Sequence, residues 1–282
     1  MIVAIKKTLC ALLVLAVGNT LVAQNSKSSP GGKINLIAGV ELGGHYQLER
    51  LTKTMMSGKS HTAIEDYTLT ATAYGQEGKD KLVRSKVDRV RLETDATGDG
   101  ATIAYDSADR GKQHPGLAEQ GKGMLTITSA AIYGENDVFK SFEGQAADEG
   151  TRSMMQKLTD LGFPDKPVGP GDTWKHRIDT DMGQLGRVSY DLDYKFVKMV
   201  RHEGVNCALL TISGKISTVP GANANEGFDL KSRSLRGVMY FDPKLGVVRK
   251  NEINSQLDLT AYGKKMPGSM TMRTVLKKFT KG

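Results

Sequence analysis

The sequence predicts a mainly β protein, with antiparallel sheets from two similar strand sets and one principal helix at about 148–162 between them. Three observations carry this. Apolar and polar residues alternate with period two in segment after segment. Turn residues punctuate those segments. Only one stretch, near the middle of the chain, shows clear helical spacing instead.

The chain opens on Lys6 and Lys7, an apolar run from Leu9 to Val17, and a small exit at Leu21-Val22-Ala23. A basic start, a short apolar middle and a small-residue exit describe a secretory signal peptide over 1–23. The run is too short to span a bilayer, and no later segment is long and apolar enough to do so. The expected location is therefore periplasmic or secreted. Residues 24–33, polar and rich in turn formers, read as a flexible leader.

A first β unit is expected over 34–147. Tyr67, Leu69, Ala71 and Ala73 alternate with Thr68, Thr70 and Thr72, and Val90 and Leu92 sit between Arg89, Arg91 and Glu93. Such strands bury one face and wet the other. Asp99-Gly100 is a hairpin signal. Ala108–Lys122, with no period and many small residues, reads as a loop. Gly123 to Ile127 reads as the start of a glycine-punctuated hairpin that ends at Tyr133-Gly134. Residues 148–170 hold the helix and a linker. Asp148 and Glu149 precede a stripe of Met154, Met155, Leu158 and Leu161, with Gly162 and Pro164 as stop signals.

The second β unit is expected over 171–282, forming one compact domain with the first. Val188, Tyr190, Leu192, Tyr194 and Phe196 alternate with polar residues. Ile253, Leu257 and Leu259 do the same, and Met270, Met272 and Leu276 share a face. Asp242-Pro243-Lys244-Leu245-Gly246 reads as a hairpin turn. The halves share an order of elements, which suggests an internal repeat.

Charge and cysteine use exclude several classes. The net charge is +8, and removal of Lys6 and Lys7 leaves +6. So mild a bias in an exported chain argues against nucleic acid as a partner. Cys10 lies in the signal peptide, which leaves Cys207 alone in an apolar run, where a buried inert thiol is expected. No catalytic residues, cofactor or metal ligands are assigned. His45, His61, His114, His176 and His202 lack metal-binding spacing. Asp95-Ala96-Thr97-Gly98-Asp99-Gly100 is read as a turn before a calcium loop, since Asp106 stands at the twelfth position in place of Glu. Asp191 and Asp193 occupy the polar face of their strand. There is no G-x-S-x-G elbow.

Two features remain as candidate sites. Trp174, the only tryptophan, follows Gly171-Asp172-Thr173 at a strand start and is expected to be a core anchor, with ligand stacking as the alternative. Lys277, Lys278 and Lys281 belong to a basic C-terminal cluster that offers a surface contact, or else marks an exposed edge strand guarded by lysines.

The stretch from Phe163 to Trp174, with its prolines and Gly-Asp-Thr-Trp element, and the later Gly237-to-Asp242 hairpin resemble a family of exported bacterial β-rich proteins of unknown function. That resemblance implies export and a β-rich fold, and it transfers no site residues. The function expected from these readings is a non-enzymatic envelope protein that binds a lipid or other apolar ligand. The alternatives are a structural or interaction module with an envelope partner, and last a hydrolase with a dispersed site.

Overall fold

The computed structural model describes residues 22–23, 32–75, 78–95, 101–126, 128–134, 139–143, 161–181, 187–219, 228–261 and 263–282. Its long strands are β1 (Gly44–Met56), β2 (Lys59–Tyr74), β3 (Asp80–Thr94), β4 (Ile103–Asp106), β5 (Thr128–Tyr133), β6 (Phe139–Phe142), β7 (Thr173–Asp181), β8 (Arg187–His202), β9 (Val205–Thr218), β10 (Phe228–Asp242), β11 (Val247–Ala261) and β12 (Lys264–Lys281). The helix α1 is Pro115–Leu125. The twelve strands form one antiparallel sheet in the order β6-β5-β3-β2-β1-β12-β11-β10-β9-β8-β7, with β4 paired to β3 beside β5. A separate two-residue ladder joins Val22–Ala23 to Ala38–Gly39. The fold is mainly β and antiparallel, as the period-two patterning predicts.

The patterning also chooses the faces. On β8, Val188, Tyr190, Leu192, Tyr194 and Phe196 are buried, while Asp191, Asp193 and Lys195 point outward. On β2, Ala63, Glu65, Tyr67, Leu69 and Ala71 are the buried set. The registers put these sets on one side. A single row runs from Ala63 through Thr52, Met272, Ile253, Gly237, Ile212 and Tyr194 to Trp174. This is the inner face. Its largest apolar cluster lies on β8 to β12 and includes Phe196, Leu210, Phe241 and Leu259, each at most 1% exposed. Each such side chain contributes about 1.5–3 kcal/mol through burial. Sheets this wide do not stay flat. Register shifts at Phe196/Lys198, Ser232/Ser234 and Leu276/Lys278 supply the local bends.

The C-terminal strand differs from the edge position its lysines suggest. β12 lies inside the sheet, between β11 and β1, and joins the last strand of the chain to the first long one. The reason is its inner set. Met270, Met272 and Leu276 are buried and need apolar neighbours on both sides. Among the described residues the edges of the sheet are β6 and β7 instead.

The second correction is α1. Residues 115–125 are helical where the sequence reads as a loop running into a glycine-punctuated hairpin. Three glycines in that stretch lower its intrinsic helix propensity. Local caps and packing override this. The His114 ring accepts from Gly116 N at 3.1 Å, and Pro115 occupies the first turn. Leu117 is buried against the inner face, and Gly121 lies so close to Tyr105 that a Cβ would stand 2.1 Å from its ring. The expected helix at 148–162 falls outside the described residues up to 160. Leu161 is not helical, and Gly162 has a φ of 67°, the left-handed value expected of a stop position. The Asp99-Gly100 turn also falls outside them.

Strand β4 is held by a charge pair with a pH signature. Asp106 accepts from Arg89 Nε at 3.0 Å, Arg89 Nη2 at 2.6 Å and Ala108 N at 3.0 Å. The Arg89 guanidinium holds the Asp106 carboxyl below its usual range. The Thr218 hydroxyl, followed by Lys231, does the same for Asp229. A depressed folded pKa adds stability above the unfolded value, about 3.9 for aspartate, and loses it as pH falls through the folded value. The melting temperature should therefore drop below about pH 4. Asp106→Asn should flatten that acid limb while lowering the plateau near neutrality; an unchanged acid limb would contradict the assignment.

Candidate functional site: the inner face of the sheet

Two large apolar fields share the inner face, with a small third cluster of Ala131, Tyr133 and Phe139 beside them. The larger, on β8 to β12, is joined by Leu36, Val168 and Phe163 from the segments that precede the two strand sets. Ile34 and Val168 exchange backbone hydrogen bonds at 2.8 Å, which ties those segments together. Phe163 meets Phe241 edge to face, with ring centroids 4.9 Å apart. The smaller field, on β1 to β4, packs against α1 and also takes in Val247 and Leu276.

Trp174 lies at the far end of the larger field, on edge strand β7. Its ring is half-buried and stacks on Tyr194, with centroids 5.4 Å apart and planes 4° from parallel. Its indole Nε1 donates to the Gly162 carbonyl at 2.8 Å. The ring thus faces the apolar side of the sheet and grips the segment that enters β7.

The three C-terminal lysines sit elsewhere. Lys277 reaches Glu49 on the outer face at 3.2 Å, and Lys281 pairs with Glu41. Lys278 lies opposite Gln47 just past a bulge. Glu49 also meets Arg91 at 3.4 Å and Arg273 at 3.6 Å, and Arg91 meets Asp66 at 2.9 Å. The basic cluster is therefore interleaved with acids across β3, β2, β1 and β12. Asp191 and Asp193 likewise pair with Arg177 at 3.6 Å and Lys175 at 2.9 Å on the outer face.

Between the two apolar fields runs a feature the sequence reading missed. Arg50 and Glu65 face each other on β1 and β2, on the inner side. Arg50 Nε donates to Glu65 Oε2 at 2.5 Å, with side chains only 12% and 4% exposed. Burial works against the guanidinium charge, but the Glu65 carboxylate outweighs it and raises the Arg50 pKa. The Tyr67 ring lies 5.7 Å from the guanidinium, and burial pushes its hydroxyl pKa upward. The available signal was Glu65 itself, which extends the alternating set of Tyr67, Leu69 and Ala71 by one step and places a carboxylate in the core set.

Cys207 is fully buried, and burial pushes its thiol up to about 11, so it is a poor nucleophile. Among the described residues no group of three or more His, Cys, Asp or Glu side chains is placed to hold a metal ion, and no helix is long and apolar enough to cross a membrane.

No protein-family model and no curated protein matches the chain. Solved structures of similar shape do exist. One is of lipovitellin and concerns its lipid–protein interactions; it is 7% identical with a TM-score of 0.49, over 86% of this chain and 26% of that one. The chain thus spans about a quarter of the lipovitellin chain. A Bacteroides fragilis protein described as exported and of YmcC-like fold is 15% identical, TM-score 0.30, over 86% of this chain and 97% of that one. A DUF1329 family protein from Desulfovibrio piger is 11% identical, TM-score 0.18, over 84% and 86%.

Proposed function

We propose that this chain is a non-enzymatic, exported cell-envelope protein that binds a lipid or other apolar ligand on the inner face of its sheet. The observation that carries the reading is the face itself. Apolar side chains hold one side of the sheet across β8 to β12, while the other side carries interleaved charges. A concentration of apolar area on one side of a wide sheet suits an elongated apolar ligand. Export rests on the Lys6-to-Ala23 segment, whose pattern is that of a cleaved leader.

Native mass spectrometry of the protein purified from its own envelope tests this. The expected result is a bound species of lipid mass, released by organic extraction. Protein that is always free of lipid, and that takes up none when offered an acyl-chain lipid, would sink the reading. The alternative, docking to an envelope partner through Lys277, Lys278 and Lys281, is separable from it. Charge reversal at these three lysines should leave lipid binding intact. Loss of a co-purifying envelope protein with lipid binding unchanged would favour docking.

A further inference from the structure

The Arg50–Glu65 pair belongs to a row, and the row carries the inference. The registers continue from Glu65 to Arg50, to Thr274, to Asn251, and end on Met239. On the other side Glu65 meets Val90. Four polar residues on four adjacent strands thus cross the inner face, closed at each end by a buried apolar residue. Glu65 is 3% exposed and Asn251 is 6% exposed. Glu65 Oε1 and Asn251 Oδ1 are buried and accept no hydrogen bond among the described residues. Buried acceptors left unmatched are costly, and nearly all in folded proteins have a partner. Both atoms want a donor.

The charge of the row selects the donor. Arg50 and Glu65 neutralise each other. An anionic headgroup would compete with Glu65 for Arg50, and an ammonium would sit beside the guanidinium. Either charge would also have to leave water. A neutral hydroxyl or amide N–H meets either acceptor at no such cost. We infer that the polar row is a headgroup site, and that the ligand is a neutral amphipathic lipid whose hydroxyl or amide donor reaches Glu65 or Asn251, at either end of the row, while its acyl chain lies on the apolar field of β8 to β12. This rests on the apolar-ligand reading above and specifies the chemistry at one end of that ligand.

The test is a competition read by native mass spectrometry, with the full chain and equal amounts of monoolein and methyl oleate. The two share one acyl chain, and only monoolein carries hydroxyl donors. Wild type should favour monoolein by about tenfold, the scale of leaving a buried acceptor unmet. Arg50→Met with Glu65→Leu together should lower the ratio, and adding Asn251→Leu should bring it close to one, while both lipids still bind. Replacing a buried ion pair by apolar residues of similar size is commonly tolerated by the fold. Asn251→Leu leaves the ion pair intact and should lower the ratio part of the way. It decides the matter if the double variant does not fold. Equal binding of the two lipids by wild type, or a ratio unmoved by the variants, overturns the headgroup site while the apolar-ligand reading stands. In a second competition, of monoolein against oleate, preference for the oleate anion overturns the neutral-donor assignment. Binding of neither lipid sinks the apolar-ligand reading itself.

Discussion

Asp242→Ala should cost about 3–5 kcal/mol, the range for breaking a buried charge pair by removing one partner. Asp242 closes β10, and its side chain is 2% exposed. One carboxylate oxygen accepts from Lys244 N at 3.0 Å and Leu245 N at 3.1 Å, which shapes the turn into β11. The other accepts from Arg249 Nε at 3.1 Å and Nη2 at 2.7 Å. Alanine would leave a guanidinium that is only 19% exposed without its anion, and two turn N–H groups without an acceptor. For a chain of this size the loss corresponds to a fall of about 10 °C in Tm. Asp242→Asn should cost less, because its amide oxygen can still accept from the turn. Asp242→Ala combined with Arg249→Met should recover part of the loss. If the alanine and asparagine variants melt together, the turn acceptors contribute nothing beyond the charge pair, and that half of the argument fails.

The same turn shows what could be read from the sequence. Asp242-Pro243-Lys244-Leu245-Gly246 is legible because each residue type answers a local need. Gly246, for instance, takes a φ of 68°. The alternation on β8 and β2 is legible for a similar reason, since a strand with one wet face writes its period directly into the chain. Position in the sheet has no such local record. Nothing in Lys264–Lys281 says that it pairs with Gly44–Met56, far away in the chain, and its lysines mimic an edge. They are tolerated inside the sheet because acids from neighbouring segments, Glu49 and Glu41, meet Lys277 and Lys281. α1 was illegible because a contact between Gly121 and Tyr105, absent from any local pattern, outweighs poor propensity.

The candidate site divides along the same line. Its apolar field follows from alternation alone. Its polar row needs the registers, because Arg50 and Asn251 look like ordinary surface residues until the strands beside them are known. Trp174 could be singled out by rarity and by the Gly-Asp-Thr that precedes it. Its partners could not, for Tyr194 and Gly162 reach it only through the β7–β8 register and the path of residues 161–170.

Trp174→Ala should destabilise the fold by about 3 kcal/mol, the low end for truncating a core aromatic, because the ring is half-buried. Two contacts are lost. The parallel stack on Tyr194 contributes about 0.5–1.5 kcal/mol beyond area, and the bond from the indole N–H to the Gly162 carbonyl about 1 kcal/mol more. The second has a wider consequence. Gly162 has a left-handed backbone, and a Cβ there would stand 2.2 Å from the His176 ring. The chain is thus drawn tightly onto β7 just before Phe163 packs on Phe241. Removing the indole should loosen that approach and expose the edge of the apolar field. Trp174→Phe keeps a stacking ring and loses only the donor, so it should recover most of the stability. Thermal melts of the two variants give the ordering, and a blue-shifted emission maximum from the single tryptophan of the wild type checks its burial. If Trp174→Ala keeps the wild-type Tm and instead loses bound lipid, the ring is a ligand contact and its anchoring role is refuted.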